Sequence, residues 1–119
     1  MVCVGRLFPS KGQDVLISAL ALVLDSPVST QVEFLGSGPL LEDLRKMAEQ
    51  KGVAQRCRFL GGVSHEEVIR KMAIAKVTVV PSRNEAFGLV NIESMSVGTP
   101  VIASRVGGIP EIVRDGVDG

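Results

Sequence analysis

Apolar residues along this chain recur at two spacings. Val2-Cys3-Val4, Val32-Glu33-Phe34-Leu35, Cys57-Arg58-Phe59-Leu60, Val77-Thr78-Val79-Val80 and Val101-Ile102-Ala103 have the length and apolar content of strands, and the last two are β-branched enough to be covered on both faces. Between them the spacing becomes helical. Val15, Leu16, Ala19, Leu20 and Val23 predict a helix over Gly12 to Leu24 with those side chains inward. Leu40, Leu41, Leu44, Met47 and Ala48 predict a second helix, opened by Pro39 in its first turn and stopped at Gly52, with Glu42, Asp43, Arg45, Lys46 and Glu49 outward. Ser64 and Glu67 fit a capping box for a third, whose buried face is Val68, Ile69 and Met72. A fourth helix opens near Gly88 and a fifth near Pro110.

Strand and helix alternate along the whole chain, without internal repeat or low-complexity segment. That order implies parallel strands joined by helical crossovers, hence an α/β doubly wound sheet. In such sheets ligands bind at the carboxyl ends of the strands. The loops placed there are Gly5 to Gly12, Gly36 to Pro39, Gly61 to Ser64, Pro81 to Gly88 and Ser104 to Pro110. Four of these five contain two glycines, which suits close approach of backbone to a ligand.

Composition narrows the ligand. At 119 residues the chain is long enough for one domain that buries about two-thirds of its unfolded surface. Thirteen basic and thirteen acidic residues give no net charge, so no broad footprint for nucleic acid or an anionic membrane is present. With four Phe and no Trp or Tyr, stacking platforms for single-stranded nucleic acid are missing as well. Recognition of an anion must be local. No run approaches the length of a membrane span and no signal peptide is legible, which predicts a cytoplasmic protein. Cys3 and Cys57 fall in predicted strands without metal-type spacing and are expected to be buried, reduced thiols. The chain begins inside a strand and ends in the turn-like Asp115-Gly116-Val117-Asp118-Gly119, which reads as a domain truncated at both ends.

The stretch from Ser82 to Ala103 carries the most chemistry. Glu85 and Glu93 flank a glycine turn that opens a helix at the end of a strand, where unpaired N–H groups and the positive end of the helix dipole favour an anion. The two acids suit hydroxyl groups instead. A ligand with phosphate at one end and polyol at the other is a nucleotide sugar. Nothing fixes their separation at the value a hydrolytic carboxylate pair needs, so a general acid and base pair is not supported. Arg6 and Lys11, projected from the end of the first strand, can clasp a diphosphate or stand solvated on a surface loop. Gly36-Ser37-Gly38-Pro39-Leu40-Leu41 begins like a dinucleotide fingerprint but has Leu41 at its third glycine position, and no acidic residue follows where a ribose contact belongs. His65, the single histidine, has no nucleophile near it in sequence and reads as an ordinary surface residue.

Taken together these stretches resemble the carboxyl-terminal donor-binding domain of retaining GT-B glycosyltransferases, the glycosyl transferases group 1 or family 4. The resemblance covers nearly the whole chain. It rests on Val4-Gly5-Arg6-Leu7 with Lys11-Gly12, on Phe34 to Pro39, on Phe59-Leu60-Gly61, on Pro81 to Ala103, and on Gly107 to Val113. Ser94 and Ser96 stand where the family commonly has alanine.

The resemblance implies that residues 1–119 are the nucleotide-sugar binding half of a two-domain enzyme, Rossmann-like in fold. Arg6, Lys11 and Glu85 become the candidate catalytic residues. Gly5, Arg6, Lys11, Gly36, Leu60, Glu85, Phe87, Gly88, Leu89 and Glu93 become the donor-binding ones. Arg6 and Lys11 would grip the diphosphate, and Glu93 the ribose hydroxyls. Glu85 would lie against the sugar near the reacting carbon. Backbone N–H groups around Phe87, Gly88 and Leu89 would bind phosphate or sugar oxygens, and the loop after Leu60 would border the nucleobase. The implied reaction moves a sugar from a nucleoside diphosphate, UDP being the favoured carrier, to an acceptor hydroxyl with retention. It uses no metal or cofactor and no protein nucleophile, attack coming from the leaving group's own side. An amino-terminal acceptor domain lies outside this chain, so the chain alone is expected to bind donor but transfer little, and the full-length protein could sit peripherally on a membrane. A non-catalytic nucleotide-sugar module and a dinucleotide-dependent oxidoreductase domain are the alternatives.

Overall fold

A computed structural model describes all residues, 1–119. Its five strands are β1 (Val2–Val4), β2 (Val32–Leu35), β3 (Cys57–Gly61), β4 (Thr78–Val80) and β5 (Val101–Ala103). The helices between and after them are α1 (Gln13–Leu22), α2 (Leu41–Gln50), α3 (His65–Ile74), α4 (Leu89–Ser96) and the short α5 (Ile109–Ile112). All strands run parallel in the order β3-β2-β1-β4-β5, with Cys3 opposite Phe34 and Val79 opposite Ile102. The expected doubly wound α/β sheet is therefore present. A bulge after Phe34 sets Leu35 against Gly61.

Side-chain alternation along each strand divides the interior into two layers. Cys3, Val32, Phe34 and Val79 face α1 and α2, meeting Leu16, Ile17, Leu20, Leu44 and Ala48, while Val2 and Leu35 face Val68 and Met72 of α3. Phe34 stacks on Phe59 with ring centroids 4.8 Å apart. Both cysteines are free and buried, and burial pushes the Cys3 thiol up to about 12. That is the state expected of them.

Only half of the capping box of α3 forms: Ser64 Oγ accepts from Glu67 N at 3.2 Å, while the Glu67 carboxylate, expected to reach back, accepts instead from Arg70 at 2.7 and 2.6 Å. Gly52 stops α2 in a left-handed conformation. Three further local expectations need correction. Helix α1 buries Gln13, Leu16, Ile17 and Leu20, whereas Val15, Ala19 and Val23 are exposed. Its sequence is apolar nearly all round, so periodicity alone left the inward face open. Strand β5 is an edge strand with Ile102 61% exposed, not covered on both faces. Pro39 lies ahead of α2, which begins at Leu41. No helix is long and apolar enough to cross a membrane.

Candidate functional site

The chain reverses its winding between β1 and β4, the two adjacent central strands that feed loops 5–12 and 81–88. At such a switch point the loops diverge and leave a crevice at the carboxyl edge of the sheet. Here they remain tied at their bases. Arg83 N donates to Ser10 O at 2.8 Å. Gly12, left-handed at φ 68°, brings its backbone so close to Pro81 that a Cβ there would collide with the Pro81 carbonyl. From this junction Lys11 Nζ reaches Glu85 Oε2 at 2.8 Å, the two side chains being 31% and 18% exposed. The structure thus joins two residues that the sequence assigned to different parts of a ligand.

Beside this pair lies the start of α4. The residue ahead of it, Gly88, has no side chain to cap the helix, and the N–H groups of Phe87, Gly88, Leu89 and Val90 meet no acceptor within the chain. The fully buried Asn91 donates from Nδ2 to Gly88 O at 3.2 Å and holds the turn in place. Two other helix starts near this edge are closed. Ser64 caps α3, and at α2 Leu40 N donates to Leu7 O at 3.2 Å while Leu7 N donates to Ser37 O at 2.9 Å. Backbone of loop 5–12 therefore covers the turn where a dinucleotide fingerprint would seat its pyrophosphate, and uncapped starts remain at α4 and at α1, the latter behind Gly12 with the Asp14 carboxylate in its first turn.

A third loop supports Glu85 from behind. Gly108 N donates to Glu85 O at 3.2 Å. Gly107, at φ 53°, lies so near that a Cβ would strike that same carbonyl. The glycine-rich turn after β5 thus braces Glu85.

Two residues that sequence reasoning passed over complete the frame. The Arg83 guanidinium makes paired bonds to Asp14 at 2.8 and 2.7 Å and a further one to Pro9 O at 2.9 Å. Arg83 thereby locks loop 81–88 to loop 5–12 and to the first turn of α1. The signal was two opposite charges 69 residues apart, which nothing local links. Hydrogen bonding from Arg83 holds the Asp14 carboxyl below its ordinary range. A carboxylate depressed in the folded state stabilises fully above its unfolded pKa of about 4, and that contribution is lost as pH falls through the folded value. Asp14→Asn is therefore expected to cost less than about 1 kcal/mol at pH 7, the pair being substantially exposed, and to cost less still at acid pH below the unfolded pKa. Urea melts of both chains at the two pH values check this; an equal deficit at both would rule it out.

The remaining sequence candidates are dispersed around this centre. The Arg6 guanidinium is exposed and lies 4.4 Å from the Phe8 ring centroid, in no ion pair. Arg6 is thus engaged with Phe8 and Lys11 with Glu85. Gly5 N donates to Leu35 O and Gly36 N to Gly61 O, so Gly5 and Gly36 knit neighbouring strand ends together. Leu60 packs its side chain into the α3 layer, leaving only the backbone after it to border a ligand. Phe87 and Leu89 are exposed. Glu93, on the second turn of α4, has Oε1 3.6 Å from His65 Nδ1. His65 is 71% exposed, the surface residue expected, but the fold sets it against Glu93, a neighbour its sequence context did not reveal. The Ser94 hydroxyl lies 2.8 Å from Thr78 Oγ1 and 2.9 Å from Thr99 O. That buried pairing explains how a serine is tolerated where alanine is usual. A cavity of about 370 Å³ is lined by Ser104, Ile109, Val113 and Arg114 and touches none of the candidate residues. The candidate site lies apart from it, as a ledge at the carboxyl edge of the sheet.

Comparison with known proteins agrees with this geometry. The family described as glycosyl transferases group 1 matches residues 1–119. The chain is 44% identical over 117 residues to a D-inositol 3-phosphate glycosyltransferase of Mycolicibacterium gilvum, covering 98% of this chain and 26% of that protein. It is 40% identical over 126 residues to a GDP-mannose-dependent alpha-(1-6)-phosphatidylinositol monomannoside mannosyltransferase of Mycolicibacterium smegmatis, covering 100% of this chain and 33% of the relative. The crystal structure of HepE from Anabaena in complex with UDP and glucose superposes with a TM-score of 0.87 at 32% identity, over 99% of this chain and 33% of HepE. The chain thus spans between a quarter and a third of the length of these proteins. A parallel sheet in this strand order also serves dinucleotide enzymes, so the fold alone did not decide between the alternatives. The whole-chain match decides it: this chain belongs to the glycosyl transferases group 1 family, and its fold is that of the GT-B glycosyltransferases on which it superposes.

Proposed function

We propose that this domain is the donor-binding half of an enzyme that moves a sugar from a nucleoside diphosphate to an acceptor hydroxyl, with retention at the anomeric carbon. The observation that carries the reading is the meeting of Lys11 and Glu85 at the uncapped start of α4. A cation, four free N–H groups and a carboxylate on one ledge match the diphosphate at one end and the hydroxyls at the other. UDP is the favoured carrier, since HepE was crystallised with UDP; the mannosyltransferase relative is named as GDP-dependent and makes guanine the second base to try.

In this reading Lys11, the α4 N–H groups and Arg6, once it leaves Phe8, hold the diphosphate. Glu93 takes the ribose hydroxyls, Glu85 the sugar, and the loop after Leu60 borders the base. As the bond from the anomeric carbon to the β-phosphate oxygen lengthens, negative charge collects on that phosphate. Lys11 and the helix dipole stabilise it without proton transfer and without a metal, an effect of several kcal/mol when donors are fixed in advance. As the family resemblance implies, the acceptor hydroxyl attacks from the leaving group's side, and its proton passes to the departing phosphate oxygen. The acceptor pocket belongs to an amino-terminal domain of the full-length protein, which we place in the cytoplasm, with any membrane contact peripheral. The domain alone binds donor and turns over little.

Calorimetric titration of the 119-residue chain with UDP, GDP, ADP and NAD tests the reading. A response to UDP or GDP is expected, and Glu93→Ala should weaken it about ten-fold through loss of hydrogen bonds to a charged acceptor. Binding of NAD alone would overturn the proposal.

A further inference from the structure

The Lys11 and Glu85 pair has an electrostatic consequence beyond gripping a ligand. Glu85 is not free to leave. Its carbonyl is held by Gly108 N and pressed by Gly107, its carboxylate is held by Lys11, and it is 18% exposed. Any phosphate oxygen that takes a hydrogen bond of ordinary length from Lys11 Nζ therefore lies within about 5.6 Å of Glu85 Oε2, the sum of two such bonds. A fixed carboxylate so close answers differently to the two ligands that occupy the ledge.

We infer that Glu85 sets the preference of this site for the nucleoside-diphosphate sugar over the free nucleoside diphosphate. This inference rests on the donor-site reading above. In the sugar-bearing ligand the β-phosphate is a diester with one negative charge, and the sugar beyond it offers hydroxyl donors to the carboxylate. In the free diphosphate that phosphate is terminal. It carries close to one further charge at neutral pH and no hydroxyls. Glu85 then gains nothing, repels the terminal phosphate, and keeps part of the positive charge of Lys11 occupied. The same carboxylate attracts the donor and opposes retention of the spent carrier. A glutamate that served only to steady the loop would treat both ligands alike.

The test compares affinities of UDP and UDP-glucose for the wild-type chain and for Glu85→Gln and Glu85→Asp, by calorimetry at pH 7.5 and low salt. Glu85→Gln removes the charge and keeps the shape. It is expected to bind UDP between about three-fold and a hundred-fold tighter, the range for one like-charge contact at this separation from bulk-water to protein-surface screening, and UDP-glucose several-fold weaker. Glu85→Asp, which keeps the charge, should retain the wild-type order of the two ligands. Opposite movement of the two affinities supports the inference, because lost loop order would weaken both. Equal movement, or an unchanged UDP affinity, overturns it while leaving the donor reading intact. If the wild-type chain binds neither these ligands nor GDP and GDP-mannose, the donor reading itself fails and this inference with it.

Discussion

Lys11→Ala is expected to weaken UDP binding roughly 10- to 100-fold, the value of one charge-assisted hydrogen bond to phosphate. Two losses coincide. The diphosphate loses its only cation that the structure already aims at the ledge, Arg6 being stacked on Phe8. Glu85 is also left without a partner at 18% exposure, facing the phosphate. Stability should hardly respond, because a partly exposed ion pair is worth at most about 1 kcal/mol, or some 4 °C in midpoint. The measurement is paired calorimetry and thermal melting. A large fall in midpoint with unchanged UDP affinity would show that Lys11 only staples the loops together. Lys11→Ala combined with Glu85→Gln should recover part of the lost UDP affinity, since removing both charges also removes the repulsion.

Phe34→Ala is expected to destabilise the domain by about 3–5 kcal/mol, seen as a lower urea midpoint with little change in slope. Phe34 is 0% exposed at the centre of the α1 and α2 layer and stacked on Phe59. Its removal leaves a cavity between a sheet and two helices that cannot close on it, and strands the Phe59 ring. Domains of this size hold only about 5–15 kcal/mol in reserve, so a large part of the total is at stake. Leu22→Ala makes the control. Leu22 is 87% exposed, and its truncation should move the midpoint very little. Similar losses for both variants would mean that the packing described for the core is wrong.

Much of this architecture is local and was legible before the fold was known. Ser64 followed by Glu67 at the N3 position marks a helix start because the bond from Glu67 N to Ser64 Oγ closes within one turn. Val32 to Leu35 and Val77 to Val80 declare themselves strands by length and branching, and the helices between them require parallel pairing. The glycine-bearing loops were assigned to a single edge on that ground alone. The inward face of α1 was not legible, because Val15, Leu16, Ile17, Ala19, Leu20 and Val23 offer more apolar surface than one face can bury. Strand β5 read as fully buried for a similar reason. An edge strand is recognised by what lies beside it, and composition does not record that.

The sequence by itself determined the class of fold, the edge where a ligand could bind and the residue types able to meet a diphosphate, since each depends on contacts within a turn or on a repeat of two or 3.6 residues. Tertiary structure alone decided the partners: Lys11 with Glu85 across 74 positions, Arg83 with Asp14 across 69, and His65 beside Glu93. The first two follow from β4 pairing with β1, which brings the loop after one strand against the loop after the other, and the third from α3 packing beside α4. Charge attraction reaches only a few ångströms at useful strength in water, so which opposite charges meet is settled by where the strands put them.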